Sequence, residues 1–364
     1  MTLPTKTSSK QMATLGLVAA LALGLAACSG DGGTDASAPA GDKGETIQIT
    51  LITKDPNDPF WVAMMDGAKA KAEELGAEIT LASGRDQTDA DGQIRAIEDA
   101  ITRGDTGILI ANNGPAVNDA ISKAQDAGLI VMAVDTPTTP PDLVSATFAS
   151  DNRLAGKLIG QWTAAKLDGE KATIALLDLF ADKVVGIDYE RDQGFVEGMG
   201  IDVKDPNKNA DEDQTGTYSG GDYEIVCNEA TDGAEDGGRT AMEKCLSLNP
   251  NINVVYTPNE PAALGAYQAL KAAGNTSAIV VSINGSCDGI KGVADGIFGA
   301  DAQQYPSKMG SMGVEAVVNF AKTGEKPVTP AGADFINTGI TLVTDQPQPG
   351  VESISVAEGL ASCY

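Results

Sequence analysis

Apolar positions follow two different periods along the chain from residue 46 onward. Short aliphatic and β-branched runs, the first at 47–52, predict buried strands, and segments with a period of about 3.6 residues predict helices between them. In the helix predicted at 60–75, the apolar stripe consists of Val62, Met65, Ala68, Ala72 and Leu75. Strands that alternate with helices in this way predict an α/β fold, in which helices cover both faces of a parallel sheet.

The alternation occurs in two successive blocks, which predict two doubly wound parallel-sheet lobes. The first block has strands at 47–52, 78–81, 107–111 and 129–134, separated by helices at 60–75, 89–102 and 116–127. The second block has helices at 153–166, 188–199, 237–248 and 262–273, and strands at 173–177, 223–227, 253–256 and 278–283. About 320 residues exceed the size at which a single core keeps growing, which also favours two lobes with a ligand cleft between them.

Residues 201–222 interrupt the second block with a polar segment rich in Asp, Asn and Gly. The acidic residues of this segment raise the question of a calcium site. Because the segment lacks the ligand spacing of a calcium-binding loop, we predict a solvated loop and no metal.

The first 45 residues have a different pattern. Lys6 and Lys10 precede an uncharged apolar run at 13–27, which predicts a signal peptide over residues 1–27 and is too short to span a bilayer. Leu-Ala-Ala-Cys at 25–28 resembles a bacterial lipobox, in which the thiol of Cys28 is acylated and the peptide is cut just before it. The alternative is ordinary secretory cleavage beside an unrelated cysteine. Residues 28–45 contain no large apolar side chain and are predicted to be a lipidated flexible tether.

Composition narrows the possible functions of the exported chain. The sequence contains 25 Lys and Arg against 51 Asp and Glu, a formal charge of −26, so nucleic acid and anionic lipid are not expected partners. Histidine is absent, which removes the commonest general base, the commonest metal ligand and every Ser-His or Cys-His nucleophile system. No cofactor or metal is therefore predicted, and an enzyme is disfavoured.

Four cysteines follow Cys28, at Cys227, Cys245, Cys287 and Cys363. An even set in an exported protein predicts disulfides more strongly than a metal site or a nucleophile. Three pairings are possible. We favour Cys227 with Cys245, because a strand end and the following helix are near neighbours, and then Cys287 with Cys363, which would pin the C-terminal tail.

Polar and aromatic residues follow many of the predicted strands. In open α/β sheets, ligands bind outside the C-terminal ends of the strands. A sugar needs flat apolar faces for its C–H surface and planar groups that hydrogen-bond adjacent hydroxyls, and these residues supply both. The candidate ligand-binding residues are Asp58, Phe60, Trp61, Asn112, Asp135, Arg191, Asn259, Asn284 and Gln304.

Most of these candidates also have a purely structural interpretation. The structural alternatives are a helix cap for Asp58, a core staple for Phe60 and Trp61, turn formation for Asp135, Asn259 and Asn284, and a surface ion pair for Arg191. The joint pattern, rather than any single residue, favours a ligand site.

Several stretches of sequence resemble one known family. Asn-Asp-Pro-Phe-Trp at 57–61, followed by Met-Asp-Gly-Ala-Lys at 65–69, is similar to the first strand-loop-helix of periplasmic sugar-binding proteins of the ribose type. Phe-Ala-Ser-Asp-Asn at 148–152, Asp-Gln-Gly-Phe at 192–195 and Asn-Glu-Pro-Ala-Ala at 259–263 also match that family. Residues 233–243 and Gln-Tyr-Pro at 304–306 are more similar to its fructose-type branch.

The resemblance implies a type 1 periplasmic-binding-protein fold and a role for several candidates. Phe60 and Trp61 would stack on the sugar, Asp135 and Arg191 would clamp it by charge, and Asn259 and Gln304 would bind hydroxyls. The sequence departs from the ribose pattern at Thr136, where an arginine is frequent, at Asn284, where aspartate is usual, and at 233–234, where an aromatic residue is expected.

The resemblance also implies a hinge of three chain crossings, near Ser150, Gln304 and Asn337. These crossings divide the chain into a first lobe of residues 46–150 plus 305–337 and a second lobe of residues 151–304 plus 338–364.

We therefore expect a monomeric lipoprotein on the outer face of the cell membrane that captures a monosaccharide by hinge closure and delivers it to a membrane ABC permease. Fructose or a related hexose is the favoured ligand, and a ribose-type pentose the next. One alternative is a lipoprotein of the same fold that senses a sugar or nucleoside and presents its closed form to a signalling partner. Another is a glycosidase that uses Asp58 and Asp135 as its acidic pair.

Overall fold

Two sheets, each with helices on both faces, account for the part of the chain that the structure, a computed structural model, describes: residues 46–181 and 185–364. The signal peptide, the lipidation of Cys28 and the tether predicted for residues 1–45 lie outside the described residues. In the described part, no helix has both the length and the apolar character needed to cross a bilayer.

The strands alternate with helices along most of the chain. The strands are β1 Gln48–Thr53, β2 Glu78–Ser83, β3 Gly107–Ile110, β4 Ile130–Val134, β5 Thr147–Ala149, β6 Ala172–Asp178, β7 Thr215–Thr217, β8 Asp222–Ala230, β9 Val254–Tyr256, β10 Ile279–Asn284, β11 Ala300–Gln303, β12 Ile336–Asn337 and β13 Thr341–Val343. The helices are α1 Pro59–Leu75, α2 Ala90–Arg103, α3 Asn118–Asp126, α4 Asn152–Leu167, α5 Gly186–Met199, α6 Glu235–Leu248, α7 Glu260–Ala272, α8 Cys287–Ala294, α9 Pro306–Thr323 and α10 Val356–Leu360.

The sheets form two separate lobes. The first sheet is parallel throughout, with strand order β12-β5-β4-β3-β1-β2. The second sheet has the order β13-β11-β10-β9-β6-β8-β7, and its two edge strands, β7 and β13, are antiparallel to their neighbours. The chain passes between the lobes three times: after β5, after β11 and after β12. The two doubly wound lobes and the three-crossing hinge confirm the fold class that the sequence predicts.

Local sequence explains where the helices that shape the cleft begin and end. Helix α1 is capped by Asp58, starts with Pro59 and ends at Gly76, which has φ 71°. In helix α7, the Asn259 side chain accepts a hydrogen bond from the Ala262 amide and caps the first turn. Both caps lie beside the cleft, so the residues that end the loops also orient side chains toward it.

The apolar stripe predicted for α1 is partly wrong. The buried residues of α1 are Phe60, Trp61, Met64, Ala68 and Ala72, whereas Val62 of the predicted stripe is 38% exposed. Helix α9, which the sequence analysis does not predict, packs on α1, and a Cβ at Gly67 would lie 2.3 Å from the Ser307 carbonyl oxygen. The face of α1 that meets both the sheet and α9 therefore runs through every fourth residue from Met64.

The polar segment 201–222 is more ordered and more buried than predicted. Its strand β7 pairs with β8, the side chain of Tyr218 is buried and its hydroxyl donates to the Glu170 carbonyl, 2.7 Å away. Glu212 is also buried. The prediction of a solvated loop is therefore wrong for these parts of the segment.

Two disulfides stabilise the second lobe, and both are the pairings that the sequence favours. Cys227 of β8 is bonded to Cys245 of α6, and Cys287 at the start of α8 is bonded to Cys363. The second bond closes a loop of 76 residues, which by chain entropy stabilises a fold more than the first, which closes 18.

Candidate functional site

A narrow cavity of about 20 Å³ lies between the lobes and brings most of the candidate residues together. Of the nine candidates, only Asn112 is not part of its wall. The lining residues are Asp58, Phe60, Trp61, Gln87, Asp135, Leu179, Ile187, Arg191, Asn259, Asn284 and Gln304. The first five belong to loops and a helix start beside the first sheet, and the next five to the second lobe, while Gln304 lies at a hinge crossing.

Phe60 and Trp61 form an aromatic wall on the first-lobe side. Their ring centroids are 4.7 Å apart and the rings are nearly perpendicular, an edge-to-face arrangement that holds both in place. Both are at most 4% exposed and also pack into the first-lobe core. The staple interpretation and the ligand interpretation therefore apply to the same two side chains.

Asp58 combines a structural role with a place in the cavity wall. Its Oδ1 accepts a hydrogen bond of 2.9 Å from the Phe60 amide, which caps α1. Burial raises the pKa of Asp58 to about 6, helped by repulsion from Asp55 and Asp135 and opposed by the hydrogen bond from Phe60. Asp58 is thus an acceptor whose charge depends on pH near neutrality.

Asp135 is held at the end of β4 by a buried polar chain. Lys54 donates to the Thr136 hydroxyl at 2.8 Å, and that hydroxyl donates to Asp135 Oδ2 at 2.8 Å. Lys54 is 1% exposed, and its Nζ lies 5.5 Å from the centroid of the Trp61 ring. Asp135 has φ 62°, in the left-handed region that aspartate tolerates better than most residues. The ammonium of Lys54 therefore fixes Asp135 through Thr136. Thr136 is the residue that stands where the ribose-type pattern frequently has an arginine.

Arg191 on α5 is buried and does not form the surface ion pair considered as its alternative. Its Nε donates to Asn152 Oδ1 and its Nη1 donates to the Pro258 carbonyl, both at 2.8 Å. These bonds use two of the five N–H groups of a guanidinium. The others remain for a ligand in the cavity that Arg191 lines.

The packing of α4 against α5 sets the height of Arg191 in the cleft. A Cβ at Gly156 of α4 would lie 2.0 Å from the Arg191 carbonyl oxygen, so only glycine allows the two helices to approach this closely. Since Asn152 on α4 also binds the guanidinium, one helix pair fixes both the backbone and the side chain of Arg191.

Amide side chains line the second-lobe wall. Asn259 donates to the Gly233 carbonyl at 2.9 Å while it caps α7, so one Nδ2 hydrogen and an Oδ1 lone pair remain. Gly233 has φ 66°, and a Cβ there would lie 3.1 Å from the Asn259 amide nitrogen. The backbone amide of Gln304 donates to the Asn284 carbonyl. The side-chain Nε2 of Gln304 is buried and has no hydrogen-bond partner among the described residues.

Asn112 organises the loops under the site rather than the cavity wall. Its Nδ2 donates to the Thr136 carbonyl at 2.6 Å and its Oδ1 accepts from the Gly114 amide at 3.0 Å. The structure therefore gives Asn112 a supporting role beneath Asp135, because both of its polar ends are already occupied by the protein.

Sequence reasoning missed three residues of the cavity wall and two that support it. Gln87 lies between β2 and α2, and Leu179 and Ile187 follow β6. Leu179 and Ile187 provide aliphatic surface on the lobe where the resemblance led us to expect an aromatic ring near 233–234. Leu179 directly follows β6, which is a signal visible in the sequence. The sequence analysis considered mainly polar groups at strand ends, so this aliphatic residue was missed. Lys54 and Asn152, the supporting residues, also follow strand ends.

The cavity combines flat aromatic and aliphatic surface with one guanidinium, two carboxylates and four side-chain amides. Such a set binds a small polyhydroxylated molecule by stacking and by hydrogen bonds of both senses. Within residues 46–181 and 185–364, no cluster of three or more His, Cys, Asp or Glu is arranged to hold a metal ion.

Comparison with known families gives one match that covers most of the chain. A family model described as a periplasmic binding protein domain matches residues 49–326.

Two curated relatives are similar over most of their lengths. The ribose import binding protein of Salmonella typhimurium is 30% identical over 280 residues, which cover 76% of this chain and 86% of that protein. The D-apiose import binding protein of Actinobacillus succinogenes is 34% identical over 240 residues, covering 65% of this chain and 70% of that protein.

Two solved structures share the fold. An ABC transporter solute-binding protein from Agrobacterium vitis with bound D-fucose has a TM-score of 0.71 and 24% identity, covering 87% of this chain and all of that one. A solute-binding protein from Bacillus halodurans with bound myo-inositol has a TM-score of 0.70 and 21% identity, covering 88% of this chain and 99% of that one.

Proposed function

Because this chain belongs to the periplasmic binding protein domain family, we propose that it captures a monosaccharide between its lobes and delivers it to a membrane ABC permease. The import binding proteins of Salmonella typhimurium and Actinobacillus succinogenes are named for ribose and D-apiose, which supports a sugar as the class of ligand. The chain is a binding protein rather than an enzyme, and the glycosidase alternative built on Asp58 and Asp135 is therefore wrong.

The composition of the cavity wall carries this proposal. Phe60 and Trp61 offer apolar faces from one lobe, Asp135 of that lobe lines the same cavity, and Arg191 of the other lobe has N–H groups beyond the two that bind Asn152 and Pro258. A sugar hydroxyl that accepts from Arg191 and donates to Asp135 would join the lobes. Because these groups come from both lobes, full binding requires closure.

The second-lobe wall favours a hexose over a pentose. In the ribose-type pattern an aromatic ring is expected near 233–234, whereas here Leu179 and Ile187 supply the apolar surface. The stretches at 233–243 and 304–306, which are more similar to the fructose-type branch of the family, also favour a hexose. We propose fructose or a related hexose as the ligand, and a ribose-type pentose as the next choice.

The proposed location follows from the sequence before residue 46. A lipid on Cys28 and a tether over residues 28–45 would confine the receptor near the outer face of the membrane and raise its effective concentration at the permease. We expect Cys28→Ser to release a protein that still binds sugar but supports uptake poorly. Fractionation and radiolabelled uptake in the same cells measure both effects.

A thermal-shift panel tests the sugar-binding proposal. Full-length protein is heated with D-fructose, D-allose, D-galactose, D-ribose or myo-inositol at equal concentration, and a ligand that binds only the folded state raises the melting temperature more the lower its Kd. We expect the largest increase with a hexose. No increase with any of the five, in a protein that melts cooperatively, contradicts the proposed function.

A further inference from the structure

The tail after β13 is fixed to the second lobe up to its last residue. Helix α10 is capped by Ser355 and Glu358, and Cys363, three residues after its end, is bonded to Cys287 at the start of α8. The Cys287 amide also donates to the Tyr364 carbonyl at 3.0 Å. The backbone of Tyr364 is therefore held at the N-terminus of α8.

The side chain of Tyr364 leaves the second lobe and contacts the first. Its ring centroid lies 5.8 Å from that of Phe60, with the ring planes 79° apart, and it packs against the first-lobe core to which Phe60 and Trp61 belong. The three hinge crossings do not include Tyr364. This contact therefore connects the lobes independently of the hinge.

Tyr364 reaches Phe60 from outside the ligand cavity. It lines a neighbouring, mainly apolar cavity of about 320 Å³ together with Pro59 of the first lobe and Pro261 and Phe298 of the second. Tyr364 is not in the wall of the cavity that holds the candidate sugar site, whereas Phe60 is. Phe60 thus borders the candidate sugar site on one side and contacts Tyr364 on another.

The Tyr364 hydroxyl is buried without a hydrogen-bond partner among the described residues. Burial and the nearby carboxylates of Glu260, Asp58 and Asp301 raise the pKa of this phenol well above its ordinary value, so the ring stays neutral. The contact with Phe60 is consequently an aromatic one and requires no charge on Tyr364.

We propose that Tyr364 is a positioning residue for the ligand site: anchored by the Cys287–Cys363 disulfide, it packs on Phe60 when the lobes close and holds the closed form together. Rotation of the lobes about the hinge separates any contact that lies outside the hinge, so the Tyr364–Phe60 pair forms only on closure. The disulfide matters because a free tail would first have to be ordered for the same contact, at a cost in conformational entropy. This inference rests on the proposed sugar-binding function.

The test compares the affinity and dissociation rate of three single variants with those of the native protein. The probe is whichever of D-fructose, D-allose, D-galactose, D-ribose and myo-inositol gives the native protein its largest thermal shift. We expect Tyr364→Ala to bind about tenfold more weakly, because an aromatic pair and its buried area are lost. The change should lie in faster dissociation, since the contact forms after encounter. Tyr364→Phe, which keeps the ring, should recover most of the affinity, and Leu360→Ala, an exposed change in the same tail, serves as its control.

A pair of double variants tests the role of the disulfide. Cys287→Ser with Cys363→Ser should accelerate dissociation as Tyr364→Ala does. The matched control, Cys227→Ser with Cys245→Ser, removes the other disulfide of the same lobe, which belongs to a different apolar core from Phe60. It should lower the melting temperature without changing the dissociation rate of the folded protein.

The outcomes separate this inference from the function on which it rests. If the native protein binds none of the five sugars, the proposed function is wrong and this inference falls with it. If the native protein binds and Tyr364→Ala dissociates at the native rate, sugar capture stands and the role of Tyr364 is wrong. Should the cysteine double variants fail to fold, the comparison of Tyr364→Ala with Tyr364→Phe decides alone.

Discussion

Arg191 is held in place by its shape as much as by its charge. Nε and Nη1 bind two acceptors that lie in different segments, Asn152 and Pro258, and the remaining N–H groups face the cavity. A lysine carries the same charge but offers a single, mobile point of attachment. We expect Arg191→Lys to weaken sugar binding by roughly 1.5–3 kcal/mol, as for a lost charge-assisted hydrogen bond, measured by calorimetry.

A matched change elsewhere separates the site from the fold. Arg239 on α6 is exposed and forms an ion pair with Asp236 one turn earlier, 2.9 Å away. Arg239→Lys should leave sugar affinity unchanged. Equal affinity of Arg191→Lys and native protein would contradict the role given to Arg191.

Thr136 connects a buried ammonium to a carboxylate of the cavity wall through a neutral hydroxyl. Its Oγ1 accepts from Lys54 and donates to Asp135. Thr136→Val preserves shape but takes this acceptor from a buried ammonium, which should lower the free energy of unfolding by about 1–3 kcal/mol and weaken sugar binding. Thr136→Ser keeps the hydroxyl and should retain most of both. Denaturant unfolding and calorimetry measure the two effects, and a native-like Thr136→Val would refute the proposed chain.

The residues that sequence reasoning found and missed at the site differ in how local their signals are. Asp135 stands directly after β4 and Asp58 lies in the loop after β1, where polar groups meet at one edge of a sheet, and this rule needs no tertiary contact. Lys54 also follows a strand, but its role depends on Thr136, which lies 82 residues away. No periodicity or spacing in the sequence shows that Lys54 and Thr136 are in contact. From the sequence alone, a lysine at this position is expected to be solvated.

At the scale of elements, the contact between α4 and α5 is the feature on which the second-lobe half of the site depends. Gly156 brings α4 onto the carbonyl oxygen of Arg191, and a Cβ there would be 2.0 Å from that oxygen. Gly156→Ala must therefore push the helices apart and displace Arg191. We expect a loss of roughly 1–3 kcal/mol or more in the free energy of unfolding, together with weaker sugar binding, measured by denaturant unfolding and calorimetry.

Gly292 on α8 provides the control for that substitution. The nearest atoms that a Cβ at Gly292 would meet belong to the flat Phe298 ring, at 3.1 Å, rather than to a backbone carbonyl. Gly292→Ala should therefore cost much less and leave sugar affinity unaffected, since α8 does not carry Arg191. If Gly156→Ala were as mild as Gly292→Ala, the close approach of α4 and α5 would not be what places Arg191.

Elements with strong periodicity were predictable, and those defined by distant partners were not. Strands such as β4 Ile130–Val134 are continuous apolar runs, buried at every position, and their pattern is visible in the sequence. Strand β12 has two residues and exists because it pairs with β5, nearly 190 positions earlier in the chain. Helix α9 returns to the first lobe after a hinge crossing, so its partner α1 is also distant in sequence. The correct burial pattern of α1 depends on α9 and was for that reason missed.

At the scale of the whole molecule, acidic groups of the two lobes lie near one another. Asp58 of the first lobe and Glu260 of the second both border the cavity that Tyr364 lines, and repulsion from Asp58 helps burial to raise the pKa of Glu260. With an overall formal charge of −26, the protein has few cations to offset this repulsion. The native protein therefore keeps protons on carboxyl groups that would be ionised in the unfolded chain at the same pH.

This proton retention predicts how stability depends on pH. Burial raises the pKa of Asp58 and of Asp188 to about 6 and that of Glu260 to about 7, from ordinary values of 3.8, 3.8 and 4.5. Between these limits the unfolded chain binds fewer protons than the native protein, so stability falls as pH rises from about 4 to about 7. Carboxylates whose pKa is lowered, such as Glu197, contribute stability above their ordinary pKa and lose it only below about pH 4. We expect the melting temperature, measured by calorimetry at constant ionic strength, to be higher at pH 5 than at pH 8.

Glu260→Gln isolates one of these groups. Glu260 accepts hydrogen bonds from the Gly285 and Ser286 amides through Oε1, an atom that glutamine retains, so the substitution removes the ionisation while keeping an acceptor. The variant should gain stability at pH 8 relative to the native protein, and its melting temperature should fall less between pH 5 and pH 8. A native melting temperature that rises over this interval, or a Glu260→Gln variant with the same pH profile as the native protein, would show that the buried carboxyl groups are compensated by cations rather than by protons. The first result would place the most stable state of the receptor above neutrality, where the charge repulsion across the cleft is greatest.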